Sequence, residues 1–376
     1  MAEGIVEGAT RIFPPATNLS KPARSPGARV KGQAFYNPGM ALNRDLSVLL
    51  VQAFAAARGR EVDVGDALAG TGARAVRLAH EVDAPIVVHA NDGQPEAVAA
   101  MRLAGAANGV AAGRLHVCEG DAHSFLASRR FDVVDLDPCG SPMPFVDAAM
   151  RSTRHGGLVC ATATDTGALA GAFARACQRR YDAHHGLNAA PWRAEIGLRI
   201  LGGALVRSAA RHDRVATPVL SVCHGHWMRV VVRVEDGKRD ADAAVRLLRN
   251  VVRDDDGRGR FVAVGEAVGP WAGPMWSGPL HSAELLAGMR AASAGKSLAR
   301  PAEVMPLLDI LEQEADAAPF WIVGHDWEKE MGPPPRRDRL ITALRGAGIA
   351  ACRTHMDPQG VRTAATMAEL KQLWRV

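Results

Sequence analysis

The sequence predicts an α/β fold: a Rossmann-like domain on a mostly parallel sheet, followed by a smaller α+β domain. Three observations carry this. Phe131-Asp-Val-Val-Asp-Leu136 has apolar residues on both faces, as a strand near the middle of a helix-covered parallel sheet requires. That run stops at Asp137-Pro138, where proline removes a ladder donor and leaves an acid at the sheet's C-terminal edge. Upstream, Val62–Ala67 reads as a strand that turns through Gly70-Thr-Gly72-Ala-Arg74 into a helix, the start of a nucleotide-binding βαβ unit.

The bulk numbers set the frame. With 376 residues the chain can fill two cores, and a polar turn at Glu235–Lys238 divides it into expected domains 1–235 and 236–376. A composition 48% hydrophobic and 23% charged is that of a globular protein. Net charge +5 and a pI near 9.0 suit a nucleic-acid partner, although a solvated basic surface accounts for them equally. The 6 cysteines are scattered without a Cys-x-x-Cys pair, against a secreted disulfide framework and a four-cysteine zinc site. No apolar run reaches membrane-spanning length and no signal-peptide core is visible, so a soluble, cytoplasmic protein with no membrane association is expected. No obligate protein partner is evident.

Taken in order, residues 3–13 alternate as a short hairpin. Residues 14–32 read as a loop whose Lys21, Arg24, Arg29 and Lys31 form either a solvated linker or a phosphate-contacting arm. Phe35-Tyr-Asn-Pro opens a helix through about residue 57, with Leu46, Leu49, Leu50 and Phe54 on its apolar face. After the glycine turn, a strand over 85–90 ends in Asn91-Asp92, and Asp92 suits ribose hydroxyls. A strand over 115–118 leads to Asp121-Ala122, flanking an adenine. Gly70-x-Gly72-x-x-Ala75 alone fits NAD as well as S-adenosylmethionine. Three acidic strand ends, Asp92, Asp121 and Asp137, favour the methyl donor, since a hydride carrier has no use for an acidic Pro-rich corner at the fourth strand.

Beyond that corner, 157–165 is expected as a strand ending in Asp165, with helices near 168–180 and 195–211. Arg199, Arg207 and Arg211 on the second helix read as a solvated stripe in preference to an RNA track. Strands at 215–226 and 227–234 close the sheet. Cys223, His224 and His226 invite a metal reading, but no further ligand completes a set. The second domain is expected to hold a helix at 240–253, a Gly/Pro/Trp segment at 265–280, helices near 281–292 and 302–316, a strand at 319–323 and a basic helix–turn–strand unit at 336–363. Arg336, Arg337, Arg339, Arg345, Arg353 and Arg362 suit that last unit to phosphates.

The acidic corner has a chemistry of its own. A carboxylate and a loop carbonyl there accept the hydrogens of a base's exocyclic amine and aim its nitrogen at a methyl donor. A strand followed by a solvated turn is the plain alternative. The segments Phe35-Tyr-Asn-Pro38, Leu42-Asn-Arg-Asp45, Asp66–Arg74, Asn91-Asp92, Asp137-Pro-x-Gly-Ser-Pro142, Ala163-Thr-Asp-Thr166, Gly197–Leu201, His226-Trp-Met-Arg229, Gly273–Leu280 and Arg353–Thr363 together resemble the archaeal and eukaryotic-type tRNA guanine-26 N2-dimethyltransferases. The resemblance runs in order over nearly the whole chain.

It implies a class I methyltransferase that uses S-adenosyl-L-methionine and acts on tRNA, with the second domain gripping the tRNA body. Arg44, Arg74, Asp92, Asp121 and Ala122 would line the cofactor pocket together with Asp66, Gly70 and Gly72. Asp137 would be the catalytic carboxylate. Phe35 would pack against the guanine, with Pro138, Cys139 and Asp165 on the substrate side. The chain departs from the pattern twice: Cys139 stands where the family has an aromatic residue, and the family's four-cysteine zinc cluster has no counterpart, so no metal is expected. The alternatives are a methyltransferase for another exocyclic amine of RNA and a catalytically silent RNA-binding homologue.

Overall fold

The computed structural model describes residues 4–15 and 34–374. The basic segment holding Lys21, Arg24, Arg29 and Lys31 lies outside the described residues. A hairpin, β1 (Ile5–Glu7) and β2 (Thr10–Ile12), precedes the helix Ala41–Arg58. Then come β3 (Val62–Asp66), β4 (Ile86–Asp92), β5 (Leu115–Glu119), β6 (Phe131–Leu136) and β7 (Thr153–Ala163), joined by helices. After a two-residue β8 (His184–His185) and the helix Arg193–Ala210, β9 (Arg214–His224) and β10 (Trp227–Asp236) complete a seven-stranded sheet in the order β5-β4-β3-β6-β7-β10-β9.

The first five of these sheet strands pair in parallel, and β10 and β9 are antiparallel. The order reverses between β3 and β6, so their C-terminal ends open a crevice. Val64, Val88 and Val133 pack under the helix Ala41–Arg58, while Val134, Leu136 and Val159 pack on the side that holds the helices Met143–Ser152 and Arg193–Ala210. Both faces of β6 are therefore covered, and all six of its residues are buried.

The remainder is interleaved with this core. Strands β11 (Leu248–Arg253), β12 (Gly259–Val262) and β13 (Trp271–Trp276) form a second sheet that takes β8 at its edge. Val251, Ala272, Met275, Phe320 and Trp321 share one cluster with β6 and β7. Leu285, Leu286 and Met289 of the helix Ala283–Ser293 share the other, with the helix Ala41–Arg58. A separate small cluster gathers Trp327, Leu340, Leu344, Val361, Leu370 and Trp374 around β14 (Ala351–Arg353) and β15 (Val361–Thr363). The expected boundary at 235/236 thus coincides with the end of β10, and much of the chain beyond it packs into the same two clusters.

Several expected elements differ. The helix anticipated over 240–253 stops at Arg246, and β11 follows at once. A short apolar run such as Leu247-Leu248 … Val251-Val252 fits either period, and pairing on both sides with β12 and β13 decides it. The helix anticipated over 168–180 is two, Thr166–Leu169 and Ala174–Tyr181, split where Gly171 adopts φ 87°. The strand anticipated over 319–323 reduces to one bridge, Ile322 to Val361, because Phe320 sits at φ 57° and breaks the extended chain. Arg199 is not on a solvated stripe: it is buried, bonded to Glu195 and to the carbonyls of Trp276 and Gly278.

Candidate active site

The acidic corner forms where β6 runs out. Gly140 donates its N–H to Thr164 Oγ1 at 2.7 Å, and Thr164 N–H returns to the Gly140 carbonyl at 2.8 Å. This ties the Asp137–Pro142 loop to the end of β7. A cleft of about 330 Å³ lies beside it. From the predicted site residues, Phe35, Arg44, Asp66, Gly70, Arg74, Asp137, Pro138, Cys139 and Asp165 line this cleft. Gly72, Asp92, Asp121 and Ala122 are not on its lining.

Parallel registration explains the electrostatics. Asp66 of β3 sits directly beside Asp135 of β6, and Asp137 follows two residues on, on the same face. Three acids in so small a volume need cations. Arg74 supplies one: it bonds Asp137, lies 3.3 Å from Asp135, and is held by Asn43 at 2.8 Å and by Ser47. Arg229 supplies the second, bonding Asp135 and, at 2.7 Å, Thr162. Burial would raise the Asp135 pKa, but Arg229 and Arg74 outweigh it and hold the group below the ordinary carboxylate range.

Asp66 goes the other way. Burial, then the neighbouring Asp135, push its pKa from 3.8 up to about 7 despite Arg74. Its Oδ2 is buried without a hydrogen-bond partner among the described residues. A buried polar atom left open beside a cleft marks a place for a ligand's donor.

The N-terminal hairpin braces one wall of the site through Glu7. Glu7 takes Arg44 on both oxygens, Arg77 at 3.1 Å and the Tyr36 hydroxyl at 2.8 Å. Burial would raise its pKa, but Arg44 and Arg77 bring it down to about 2. The Arg44 guanidinium also lies 5.0 Å from the centre of the Tyr36 ring. This holds the Phe35-Tyr36 segment over the glycine turn, where the Phe35 carbonyl accepts Thr71 N–H at 3.1 Å. Gly70 must be glycine: it adopts φ +56°, and a Cβ there would meet the Phe35 oxygen at 2.7 Å.

The remaining predicted residues sit around this core. Asp92 accepts Gly70 N–H at 2.9 Å and Gln94 N–H at 3.0 Å, so it braces the glycine turn. Asp121 is exposed and caps the helix Ala122–Ser128 through Ser124 N–H. Asp165 receives the Tyr181 hydroxyl at 2.5 Å and Arg180 at 2.8 Å, which fixes it at the cleft wall.

With the geometry in place, comparison with known proteins settles the family. Residues 20–375 match the family model described as N2,N2-dimethylguanosine tRNA methyltransferase. The chain belongs to that family. Curated relatives named tRNA (guanine(26)-N(2))-dimethyltransferase include one from Methanothermobacter thermautotrophicus, 34% identical over 91% of this chain and 93% of its own. Another, from Pyrobaculum calidifontis, is 36% identical over 91% of each chain. Among solved structures, Trm1 from Pyrococcus horikoshii in complex with S-adenosyl-L-methionine superposes with a TM-score of 0.84 at 31% identity, covering 99% of each chain.

Like that relative, this member of the family has a central, mostly parallel sheet. Sequence reasoning missed its supporting residues Asn43, Ser47, Asp135 and Arg229. The signal for Asp135 was present: an acid inside an otherwise apolar strand, on the face that carries Asp137. Of the proposed metal-ligand residues, His224 is exposed near Glu303, and His226 lines the cleft. The described residues do bring together one other group, His281, Glu314 and His355, with ligand atoms within 4.8 Å. Neither imidazole has a lone pair to give an ion. His355 Nε2 accepts Cys223 N–H at 3.2 Å and His281 Nδ1 accepts Ser221 N–H at 3.5 Å, which leaves their protonated nitrogens facing Glu314. Arg362 adds a cation to the same carboxylate at 2.8 Å. The cluster covers the outer edge of β9 rather than offering lone pairs to an ion.

The basic C-terminal unit is also partly committed. Arg362 is buried between Glu195 and Glu314, Arg345 bonds the Ala351 carbonyl and Gln313, and Arg337 and Arg353 share Asp338. No helix among the described residues is long and apolar enough to cross a membrane.

Proposed function

We propose that this protein transfers methyl groups from S-adenosyl-L-methionine to the exocyclic N2 of a guanine in tRNA, position 26 by likeness to its relatives. The observation that carries the reading is Asp137: an acid fixed at the end of a central strand, open to a cleft and held from behind by Arg74. The residues fit the cofactor. Asp66 offers a donor a buried oxygen that has no partner among the described residues, the Gly70 turn gives close backbone approach, and Arg44 and Arg74 line the cleft. When bound, the cofactor supplies an electrophilic sulfonium methyl.

The chain's own residues contribute position and charge. Guanine's amino lone pair is delocalised into the ring, which makes the nitrogen a poor nucleophile. Asp137 accepts one N–H and the Pro138 carbonyl serves as a second acceptor, turning the lone pair toward the methyl group. The extra proton leaves to Asp137 or to water. A monomethylated amine still has one N–H for Asp137, so the same acid serves a second transfer. Phe35 offers a face for a base drawn out of its stack, and exposed Cys139 adds a thinner wall than an aromatic residue would. Arg336 and Arg339, outside the ion pairs of the C-terminal unit, favour the tRNA backbone there. A cytoplasmic enzyme follows from a tRNA substrate.

Mass spectrometry of tRNA nucleosides after incubation with cofactor tests this directly. N2-methylated guanosine should appear with the wild type and vanish with Asp137→Ala, while calorimetric cofactor binding persists. Methylation undiminished in Asp137→Ala would refute the assignment. Methyladenosine as the product would favour the alternative amine substrate.

A further inference from the structure

One side chain in the cleft has its protonation state fixed by its neighbours and no task in the mechanism above. His226 lies in the turn between β9 and β10 and lines the cleft with Asp137 and Pro138. Its Nε2 is 3.1 Å from Asn37 Nδ2. The Asn37 amide is not free to flip, because its Oδ1 caps the turn Pro38–Met40 by accepting Gly39 N–H at 2.9 Å. Its nitrogen must therefore face the ring. An amide NH2 only donates, so Nε2 accepts and the neutral imidazole carries its proton on Nδ1. Burial, which pushes the His226 pKa down more strongly than Asp137 raises it, agrees with a neutral ring. Nδ1 has no hydrogen-bond partner among the described residues.

We infer that His226 positions the target base by presenting a fixed, neutral Nδ1–H to the ring acceptor that flanks the exocyclic amine, N3 in guanine. The inference rests on the reading of Asp137 as the group that takes the amine. The amine of guanine stands between a donor, N1–H, and an acceptor, N3. The amine of adenine stands between two acceptors, N1 and N7. A carboxylate for the amine with one N–H donor at its side fits the N2–N3 edge of guanine and equally the N6–N1 edge of adenine, so this contact positions the base and does not by itself select guanine. The same geometry excludes His226 as the proton acceptor, since its available lone pair is already held by Asn37. Asp137 and His224 are the charged or titratable groups that act on the ring, and neither replaces that amide contact.

The test uses tRNA carrying guanine or 3-deazaguanine at the target position, with full-length wild type, His226→Ala and His226→Gln. For the wild type, 3-deazaguanine should lower kcat/KM on the order of tenfold, the worth of one hydrogen bond in a closed site. His226→Ala should lose a similar factor on guanine and nothing further on 3-deazaguanine. His226→Gln, which restores an N–H donor, should recover part of the loss. The pH profile of kcat/KM should keep its shape in both variants. Equal penalties for 3-deazaguanine in wild type and variants would overturn the inference, as would no penalty in the wild type. So would loss of an acidic limb on removing the ring, since that would make His226 a base. Failure of the wild type to methylate guanine at all would instead sink the reading on which the inference rests.

Discussion

Among the buried networks of carboxylate and guanidinium groups in this molecule, the ones centred on Glu314 and on Asp135 are completed to different degrees. At the edge of β9, both oxygens of Glu314 are taken: Oε1 by Thr354, Arg362 and the His355 N–H, Oε2 by the His355 ring. At the end of β6, Asp137 keeps a side chain 18% exposed, and Asp66 keeps a partnerless oxygen. The first network joins the C-terminal segment to the sheet and takes up both oxygens of its carboxylate, so that what it leaves without a partner among the described residues are donors, His281 Nε2 and Arg362 Nη2. The second holds its acids in place yet leaves capacity for ligands. An acceptor oxygen left open on an acid beside a cleft, rather than buried charge as such, separates a site of chemistry from a structural clamp.

Removing the cation common to Asp135 and Asp137 should break the second network most severely. Arg74→Met leaves Asp135 and Asp137 short of a partner, with a stability loss of about 3–5 kcal/mol for breaking a buried pair. Activity should fall on the order of a hundredfold or more at a temperature where the variant is folded, because Asp137 loses its support. Denaturant titration and single-turnover methylation measure the two effects. Stability loss without any effect on the methyl-transfer step would make Arg74 a clamp like Glu314 and erase the distinction.

Glu314→Gln is the converse experiment. It should cost about 3 kcal/mol by removing one of the two carboxylates that hold buried Arg362, with Glu195 remaining, while the methyl-transfer rate of the folded protein stays within about twofold. The sign with pH follows from the lowered pKa. Burial acts to raise the Glu314 pKa, but His355, His281 and Arg362 together hold it well below 4.5. Its contribution is therefore present above the unfolded pKa and lost as pH falls through the folded one. The variant should show a shallower acid limb in thermal melts than the wild type; an unchanged limb would mean that Glu314 does not carry it.

How far these networks could be read in the sequence differs for physical reasons. The corner at Asp137-Pro138 and the Gly70 turn are local, so strand period, proline and glycine announce them. Arg229 reaches Asp135 across 94 positions and Glu314 reaches His355 across 41, and only the folded sheet brings either pair together. Arg199 shows the trap from the other side: with Glu195 one helical turn away it looks like a surface pair, but β13 and Phe320 bury it. The β11 segment failed for a different reason, because neighbouring strands rather than its own residues select its period.

Asp66 sharpens the comparison with a smaller effect of opposite sign. Its folded pKa near 7 lies above the unfolded value of 3.8, so the native state holds the extra proton between them. Stability should fall as pH rises from about 4 through 7, the reverse of Glu314. Asp66→Asn removes the penalty. The variant should match the wild type near pH 4 and exceed it by about 1–3 kcal/mol at pH 8, with weaker cofactor binding. A wild type that gains stability over this range at the Asn variant's expense would show that Asp66 is paired after all.

The smallest effect is expected where charge is abundant and water is near. Asp338 bonds Arg353 at 2.7 Å and Arg337 at 2.9 Å, but it is 56% exposed. Solvent and salt screen such a pair, and two long side chains lose freedom to form it, so Asp338→Asn should cost no more than about 1 kcal/mol at low salt and nearly nothing at high salt. The same change frees two arginines beside Arg336 and Arg339. If this face meets tRNA phosphates, affinity for tRNA should rise slightly and its salt dependence steepen, with the methyl-transfer rate unchanged. Filter binding at several salt concentrations reads this, and unchanged affinity with an unchanged salt slope would remove the C-terminal unit from the tRNA path. Counting arginines along the sequence could not separate these outcomes, because the count includes those already bound to carboxylates and carbonyls.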